Sequence, residues 1–297
     1  MAEVFGIVSG TAGIVSVFST CMECFDYVQT GRRFGKDFQV DLLTLSLLKL
    51  RLSRWGEAVQ IYDDPKLGHP EATDTDVQLA ENTLRQILVL FEDSNNISNK
   101  YRLEARQGED LTPLTRGEME PRFAAIDNKM KALAERRQKS TGFRKLASWA
   151  LYHRDRYNDL VEGITKLVDN LEQAFPAPEK ANALAKTDTE QISAGPPAEQ
   201  KDTLKLLGFL AAKVDGAVGA KAVKAVEAAA NQGISIGSVD TTDKARFRSG
   251  DFVSTAWKGE TSLPQSGITV AIGSLRAGGE SRVMAGNMYA EKDSFWD

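Results

Sequence analysis

The sequence has few of the residues from which disulfide scaffolds and metal sites are built. Its 297 residues include two cysteines and two histidines. Two cysteines are too few for a disulfide scaffold, and Cys21 and Cys24, spaced C-x-x-C, end an apolar helical run, which favours buried thiols. A zinc site would need His69 and His153 to converge on this pair from distant positions. We therefore expect no metal and no cofactor.

Known catalytic motifs are also missing. The sequence has no G-x-x-x-x-G-K-[ST] phosphate loop, no strand-linked G-x-G-x-x-G and no H-E-x-x-H zinc motif. Its two histidines lie far apart and leave few general bases for chemistry at neutral pH. The formal net charge of −4 argues against general nucleic-acid binding. The protein is therefore predicted not to be an enzyme and not to bind nucleic acid, with an unrecognised enzyme kept as a third alternative.

The C-terminal quarter of the chain contains one motif twice, at a fixed offset of 36 residues. Residues 234–239, ISIGSV, return as residues 270–275, VAIGSL, and residues 244–251 return as 280–287. Glycine at matched positions favours a sharp bend of the strand in each copy. The identical pairs are Ile236/Ile272, Gly237/Gly273, Ser238/Ser274, Arg246/Arg282 and Gly250/Gly286.

Charged residues change between the two copies in a way that favours stacking. Rungs of a β-stack lie about 4.8 Å apart, so a column of identical charges repels itself, whereas alternating charges attract. An Asn side chain can hydrogen-bond along a ladder and therefore suits a position opposite an Asp. We predict that residues 234–254 and 270–290 stack as two rungs. The exchanged pairs are Asp240/Arg276, Lys244/Glu280 and Asp251/Asn287, and the apolar pair Phe247/Val283 lies between them in sequence.

The two repeats of one chain are too few for a stable solenoid, because stacked arrays generally need about three repeats or more. Other molecules are expected to supply the missing rungs. The region is therefore predicted to be disordered as a monomer and to form a β-solenoid amyloid when assembled. An ordinary pair of β-hairpins, or a Gly/Ser-rich tail that never folds, is the alternative.

Upstream of the repeats the sequence is typical of an all-α domain. The predicted helical bundle covers residues 1–230, and the C-terminal region covers residues 231–297. Within the bundle, residues 176–201 are rich in Ala, Pro, Glu, Lys and Thr and are predicted to form a linker-like excursion. Apolar residues recur at helical spacing in the segments 38–61, 77–91, 123–133, 157–174 and 202–230.

The N-terminal span from Val4 to Met22 carries no charge and approaches the ~20 residues that cross a bilayer as a helix. Its small residues fall on one face and include a Gly-x-x-x-Gly pair, which suits close helix packing in lipid. Arg32, Arg33 and Lys36 follow, where cations would meet anionic headgroups. Burial as an ordinary core helix is the alternative, and a segment suited to both environments could act as a switch. The residues predicted to enter a membrane are Val4, Phe5, Gly6, Ile7, Val8, Gly10, Gly13, Ile14, Val15, Val17 and Phe18.

Motifs of the helical region and the C-terminal repeats together resemble those of one known family. The helical motifs are FGIV from residue 5, CFDYVQTGRRFGKD from residue 24 and RLSRWGEAV from residue 51, and the chain ends in Phe295, Trp296 and Asp297. In this order they resemble the HeLo domain and the prion-forming β-solenoid of the fungal HET-s/HET-S heterokaryon-incompatibility proteins. The resemblance runs nearly end to end and is weakest over residues 177–230.

The resemblance implies a cytoplasmic executor of cell death that relocates to the cell membrane on activation. In the family, a partner with a matching fold templates the repeats into amyloid, which disturbs the helical domain and releases an N-terminal membrane-permeabilising segment. The implied partners are further copies of the chain, an allelic HET-s-type prion protein and an NLR-type receptor with a matching motif. Phe295 and Trp296 are assigned to the amyloid repeats.

Arg33 occupies the position at which toxic and non-toxic members of the family differ. Because it is not a proline, nothing local forbids helix continuity there, and the resemblance favours the toxin-competent type. The alternative is a non-toxic prion or adaptor protein, whose helical domain dimerises and whose tail only polymerises.

Overall fold

The chain divides into two units, for which the computed structural model describes residues 13–139, 148–230, 234–249, 252–254, 270–285 and 288–290. The units are Met1–Val223, named here the helical unit, and Lys224–Asp297, named the repeat unit. The division falls inside the helix Gly216–Ala230, a few residues before the domain boundary predicted at residue 230.

Eight α-helices precede the repeats in the described part of the chain, which confirms the predicted helical class of the N-terminal region. Helix α3 shows how local sequence sets a start: Thr73 accepts from the backbone N–H of Asp76, and Asp76 accepts from that of Thr73, which forms a capping box. The helices are α1 Ile14–Tyr27, α2 Phe38–Ala58, α3 Asp74–Glu104, α4 Pro121–Arg136, α5 Arg154–Ala174, α6 Pro178–Ser193, α7 Pro197–Val214 and α8 Gly216–Ala230.

Helix α2 is the centre of the helical unit and contacts α1, α4, α5, α6 and α7. It is buried on almost every side, as expected for a Leu-rich helix that other helices surround. Two arginines, Arg51 and Arg54, are buried on the same helix. Buried charges of this kind require partners, because an unpaired ion inside a protein costs several kcal/mol.

The predicted linker over residues 176–201 is wrong, because most of it forms helix α6. Its Ala, Glu, Lys and Thr residues are compatible with a helix, and Pro178 occupies the first turn, where a missing N–H costs nothing. One face of α6 is buried against α2, α4 and α7 and includes Ala185, Asp188 and Ile192. Composition resembled a linker, but the burial of this face makes the segment part of the bundle.

A small three-stranded sheet, which the all-α prediction did not include, joins distant parts of the helical unit. Strand β1 (Val28–Gly31) lies in the centre, antiparallel to β2 (Pro113–Leu114) and parallel to β3 (Trp149–Leu151). A Cβ atom on Gly31 would lie 2.6 Å from the ring of Tyr152, so glycine is needed for this close approach. A 3-10 turn over Arg32–Asp37 then leads into α2.

The described residues of the repeat unit form three parallel strand pairs, which follow the end of helix α8. Each strand of the first copy pairs with its counterpart in the second copy, and every paired residue is separated by the predicted offset of 36, from Ile234 with Val270 to Ser254 with Ala290. The first rung is β4 (Ile234–Thr241), β5 (Arg246–Ser249) and β6 (Phe252–Ser254), and the second is β7 (Val270–Ala277), β8 (Arg282–Ala285) and β9 (Met288–Ala290). Pairing within one chain contrasts with the expected disorder of the monomer, and that disorder stays a prediction.

Candidate functional site

The strands of the two rungs bring the predicted stacking residues into direct register. Asp240 lies opposite Arg276, and Ile236 lies opposite Ile272. Phe247 lies opposite Val283 in the next pair of strands. Opposite charges on neighbouring strands contribute roughly 0.2–1 kcal/mol per pair relative to alanine, so the exchange of sign is a modest but repeated contribution.

The turns between strands also stack, and they contain the second exchanged charge pair. Asp243 and Gly279, 36 residues apart, both have positive φ angles, 56° and 69°. A Cβ atom on Gly279 would lie 2.9 Å from the Cα of Asp243, so the second rung requires glycine at this place. Lys244 and Glu280 follow these residues directly, at matched and exposed positions.

Backbone hydrogen bonds join the two turns where the strand ladder is interrupted. The N–H of Gly278 donates to the carbonyl of Thr241, and the N–H of Arg282 donates to that of Ala245, both at 2.8 Å. The rungs are therefore connected through the turn as well as through the strands.

Gly237 and Gly273 form a second close contact between rungs. A Cβ atom on Gly273 would lie 2.7 Å from the carbonyl oxygen of Gly237, although the residues on both sides remain in register. Such an approach between two backbones is possible only with glycine. Both glycines lie inside strands β4 and β7, and the bend predicted at this pair stays a prediction.

Charge exchange does not extend to every pair of the repeats. Arg246 lies opposite Arg282, and Arg248 lies opposite Met284. The prediction of opposite charges thus applies to selected pairs, not to the whole stack. Six residues assigned to stacking lie outside the described residues, and their roles stay predictions: Gly250, Asp251, Gly286, Asn287, Phe295 and Trp296.

The described part of the predicted membrane segment packs in the core of the helical unit. Val17 and Phe18 are buried, and the ring of Phe18 lies 6.3 Å from that of Trp55 and 5.9 Å from that of Tyr62. A Cβ atom on Gly56 would lie 2.4 Å from the Phe18 ring, so α1 and α2 approach closely at this point. Ile14 is half-buried, whereas Gly13 and Val15 are exposed.

The remaining members of the predicted membrane segment, Val4, Phe5, Gly6, Ile7, Val8 and Gly10, lie outside the described residues. Within the described ranges, no helix has both the length and the hydropathy that a bilayer crossing requires.

The two cysteines of α1 are free and buried, as predicted. The thiol of Cys21 donates to the carbonyl of Leu84 at 3.2 Å. Burial raises the pKa of both thiols, so they stay protonated and poorly nucleophilic. Across the described residues, no group of three or more His, Cys, Asp or Glu side chains is arranged to hold a metal ion.

Arg33 lies in the 3-10 turn after β1 and not in a continuous helix, because Gly35 in the same turn has a φ of 58°. Its guanidinium forms an ion pair with Glu109 and lies 6.0 Å from the centre of the Tyr101 ring. Glu109 also accepts from the Tyr101 hydroxyl, and this hydrogen bond, with the Arg33 charge, lowers the pKa of Glu109. The neighbouring Arg32 forms ion pairs too, so both cations are engaged within the protein.

A buried ionic network on α2, which sequence analysis missed, connects the centre of the bundle to its C-terminal helices. Arg54, 2% exposed, donates to Asp188 of α6 at 3.0 Å and to Asp215, between α7 and α8, at 2.5 Å. The other oxygen of Asp215 accepts from the N–H of Val218 in the first turn of α8 at 3.2 Å. Arg137 donates to Asp188 at 2.6 Å from its other side.

Arg51 extends the same network by one helical turn. It donates to Asp169 and Glu172 of α5, at 2.6 Å and 2.5 Å, and to the carbonyl of Val214 at the end of α7, at 3.0 Å. The signal in the sequence was the pair of arginines inside a Leu-rich helix, since buried arginines are found almost only with partners. The partners themselves lie more than a hundred residues away and could not be identified from spacing.

Comparison with known proteins gives consistent matches. The family model HeLo, described as "Prion-inhibition and propagation", matches residues 6–198. Heterokaryon incompatibility proteins s and S of Podospora anserina are each 36% identical to this chain, and each alignment covers 100% of both proteins. The solved structure of the HET-s N-terminal domain is 36% identical with a TM-score of 0.66, over 73% of this chain and 98% of that one. A substituted variant of that domain matches with the same TM-score.

Proposed function

The chain belongs to the HET-s family of HeLo-domain heterokaryon incompatibility proteins, and we propose that it executes cell death. Membership of this family supports a role in incompatibility or cell death. In this proposal, a partner with a matching fold templates the repeat unit into an amyloid β-solenoid. Assembly refolds the helical unit and releases its N-terminal segment to permeabilise a membrane.

The single observation that carries the proposal is the register of the repeat unit. The two copies pair in parallel at one constant offset, and each described strand has a partner on one side. A strand with an unpaired edge can pair with a strand of another chain. The pairing between the two rungs of this chain is the same contact that a second molecule would form with either outer edge.

The exchanged charges support the same proposal. If a second molecule adds its first rung to the second rung of this chain, Asp240 again meets Arg276 and Lys244 again meets Glu280. A partner that differs at these positions would place equal charges about 4.8 Å apart. The repeats are therefore proposed to pair preferentially with a further copy of this chain, an allelic HET-s-type prion protein or an NLR-type receptor with the same motif.

The ionic network supports a mechanical link between assembly and release. Helix α8 begins directly after Asp215, which binds Arg54, and α8 ends four residues before β4 begins. If templating refolds α8, the carboxylate of Asp215 moves away from Arg54, and Arg54 loses one of its buried partners. Removing one partner of a buried ion pair costs about 3–5 kcal/mol, a large part of the stability of a domain.

Release of the N-terminal segment follows from the position of α1. Trp55 and Gly56, which hold the Phe18 ring, are the next residues after Arg54 on α2. Loosening of α2 at Arg54 therefore weakens the contact that keeps the start of α1 in the core. The protein is proposed to act first in the cytoplasm and then at the cell membrane.

Arg33 is proposed to influence toxicity through its contact with Glu109. If this is correct, Glu109→Gln, which removes the charge partner and leaves Arg33 in place, changes killing in the same direction as Arg33→Gln. A change in killing by Arg33→Gln alone would contradict the role of the ion pair.

A leakage assay tests the proposed function. Full-length protein is mixed with dye-loaded anionic liposomes and preformed fibrils of residues 231–297, and dye release is expected only when all three are present. A variant without residues 2–12 retains the buried Val17 and Phe18 and is expected to add to fibrils without causing leakage. A longer deletion would damage the core and is less informative.

The adaptor alternative is favoured by one observation, the burial of Val17 and Phe18 in the helical unit. In that case the full-length protein adds to the fibrils, and the liposomes stay intact. If fibrils grow from the full-length protein and the liposomes release no dye, the protein is a prion or adaptor protein and not an executor of cell death.

A further inference from the structure

One charged pair of the repeat unit keeps the same sign on both rungs. Arg246 lies opposite Arg282 in the parallel pair of β5 and β8, and both residues are exposed. Residues in register on neighbouring strands lie about 4.8 Å apart, and like charges placed directly opposite each other destabilise the pairing. An anion bound beside the two guanidinium groups offsets this repulsion.

The two strands that carry this pair contain no carboxylate. Strand β5 has the sequence RFRS, and strand β8 has the sequence RVMA. Arg248 follows Arg246 by two residues and therefore lies on the same face of β5, where it adds a third cation opposite Met284. This face of the strand pair is thus cationic on both rungs.

An arginine side chain can bind an anion while it keeps a contact within the protein. Arg246 and Arg282 each take part in an interaction within the chain. A guanidinium has five N–H donors in a planar fork, and it stays charged at neutral pH. At an exposed position it therefore keeps donors for a phosphate group, which it binds through two parallel hydrogen bonds.

In the assembly proposed above, the arginine pair becomes a continuous column of cations. When a second molecule adds its first rung to the second rung of this chain, its Arg246 follows Arg282 at the next step of the stack. Asp240 and Arg276, by contrast, alternate in sign from rung to rung, so that their charges cancel along the stack. The arginine column, named here for Arg246 and Arg282, carries one cation at every step of about 4.8 Å.

We propose that the arginine column binds a linear chain of phosphates along the axis of the assembled repeats. The site rests on the proposed function, because the continuous column exists only in the assembly. A column one cation wide matches a linear polyanion, whereas a membrane surface would also meet the column of Lys244 and Glu280, which alternates in sign two residues earlier. Each further phosphate binds within one molecule of ligand, so affinity rises with chain length.

Binding of inorganic polyphosphate to fibrils of the full-length protein tests the site. The fibrils are sedimented with fluorescently labelled long-chain polyphosphate, and unlabelled long chains and tripolyphosphate are compared as competitors at equal phosphate concentration. Long chains are expected to compete at least about tenfold better per phosphate, because they span many steps of the column. The soluble protein, which has a single arginine pair, is expected to show no such preference.

Two arginines of the second rung provide a matched pair of variants. Arg282→Gln and Arg276→Gln each remove one exposed cation and change the net charge equally, but only Arg282 belongs to the arginine column. Arg282→Gln is expected to weaken polyphosphate binding at least about tenfold, and Arg276→Gln less than about twofold. Thioflavin fluorescence confirms beforehand that each variant forms fibrils.

Two further variants keep the test decisive if Arg282→Gln does not assemble. Arg246→Gln removes the cation of the same column from the first rung and is expected to weaken binding as much as Arg282→Gln. Arg282→Lys keeps the charge and loses the planar fork, and is expected to assemble and to bind long-chain polyphosphate about threefold more weakly than the unchanged protein.

Failure of this proposal is distinguishable from failure of the proposed function. If the full-length protein forms no fibrils, both are wrong. If fibrils form and cause leakage, but the column variants bind polyphosphate as tightly as Arg276→Gln, the arginine column alone is overturned. Equal competition by tripolyphosphate and long chains overturns it as well. If phosphatidylserine vesicles displace the labelled polyphosphate as effectively as long chains do, the surface binds a membrane, and the assignment of a linear ligand is wrong.

Discussion

The helical unit and the repeat unit use charge in opposite ways. In the helical unit, Arg54 is buried and has both of its partners, Asp188 and Asp215, within the same chain. In the repeat unit, Asp240 and Arg276 are exposed, and each is opposite a charge on only one of its two sides along the stack. The buried charges of Arg54 and its partners are thus satisfied within one chain, whereas the exposed charges of the repeat unit can form the same contact again with a second molecule.

The largest expected effect breaks the self-contained side of this comparison. Arg54→Met leaves the buried carboxylate of Asp215 without its ion-pair partner, whereas Asp188 keeps Arg137. The variant is expected to destabilise the helical unit by about 3–5 kcal/mol. Chemical denaturation followed by circular dichroism measures the change. Lys166→Ala, which removes an exposed ion pair with Glu162, is the control and is expected to leave the stability nearly unchanged.

Residues 231–297 lie outside the helical unit, so the rate at which they form fibrils is expected not to change when Arg54 is replaced. A denaturation midpoint of Arg54→Met equal to that of the unchanged protein would contradict the role assigned to the network.

A smaller effect is expected from the turn that stacks the two rungs. Gly279→Ala places a side chain at a positive φ angle, which costs about 1–2 kcal/mol, and brings a Cβ atom against the backbone of Asp243. Gly278→Ala is the matched control, because the nearest atom to its added Cβ is the Thr241 carbonyl oxygen at 3.9 Å. Denaturant resistance of fibrils measures both variants. Equal fibril stability of the two would show that the turns do not stack as described.

A still smaller effect is expected from the exposed charges of the same turn. Glu280→Lys places a lysine opposite Lys244 and is expected to slow fibril growth several-fold, in thioflavin fluorescence, and less so at high salt. The double variant Lys244→Glu with Glu280→Lys restores opposite charges and is expected to recover most of the rate. Failure of this rescue would be evidence against the 36-residue register between molecules.

The smallest expected effect concerns pH and the helical unit alone. Asp41 is buried with one carboxylate oxygen unpaired among the described residues, and burial, which outweighs the Arg154 charge, raises its pKa to about 6. Because the folded protein holds this proton more tightly than the unfolded chain, the contribution of Asp41 to stability is full below pH ~4 and is lost as the pH rises through about 6.

Melting temperatures between pH 4 and 7 test this assignment. Asp41→Asn is expected to flatten the pH dependence and to raise the melting temperature at pH 7, whereas Asp93→Asn, at an exposed position on α3, is expected to leave the profile as it is. A profile of Asp41→Asn that matches the unchanged protein would assign the titration to another group.

The two units also differ in how far the sequence predicted them. The repeat register followed from the sequence because copies 36 residues apart can be compared position by position, and the strands pair at that offset. A helix in the segment 38–61 followed from the spacing of its apolar residues, whereas its central position in the bundle was not predicted. The ion-pair partners of Arg51 and Arg54 could not be predicted, because contacts between residues more than a hundred positions apart depend on the packing of five helices.

Helix α6 and the strand pair formed by β1 and β3 show the second limit. A segment with the composition of a linker became a helix because tertiary packing buries Ile192, which local composition does not reveal. Three-residue strands are too short to give a period-2 pattern, so β3 could not be distinguished from a loop.

Hydrogen exchange of the full-length protein, seeded with fibrils of residues 231–297, is the most direct measurement of the link between the two units. As the repeats gain protection, amides of α8 and then of α1 are expected to lose it, because Asp215 no longer holds Arg54. If the repeats become protected while α8 and α1 keep the protection of the unseeded protein, assembly does not act on the helical unit and the proposed mechanism of cell death is wrong.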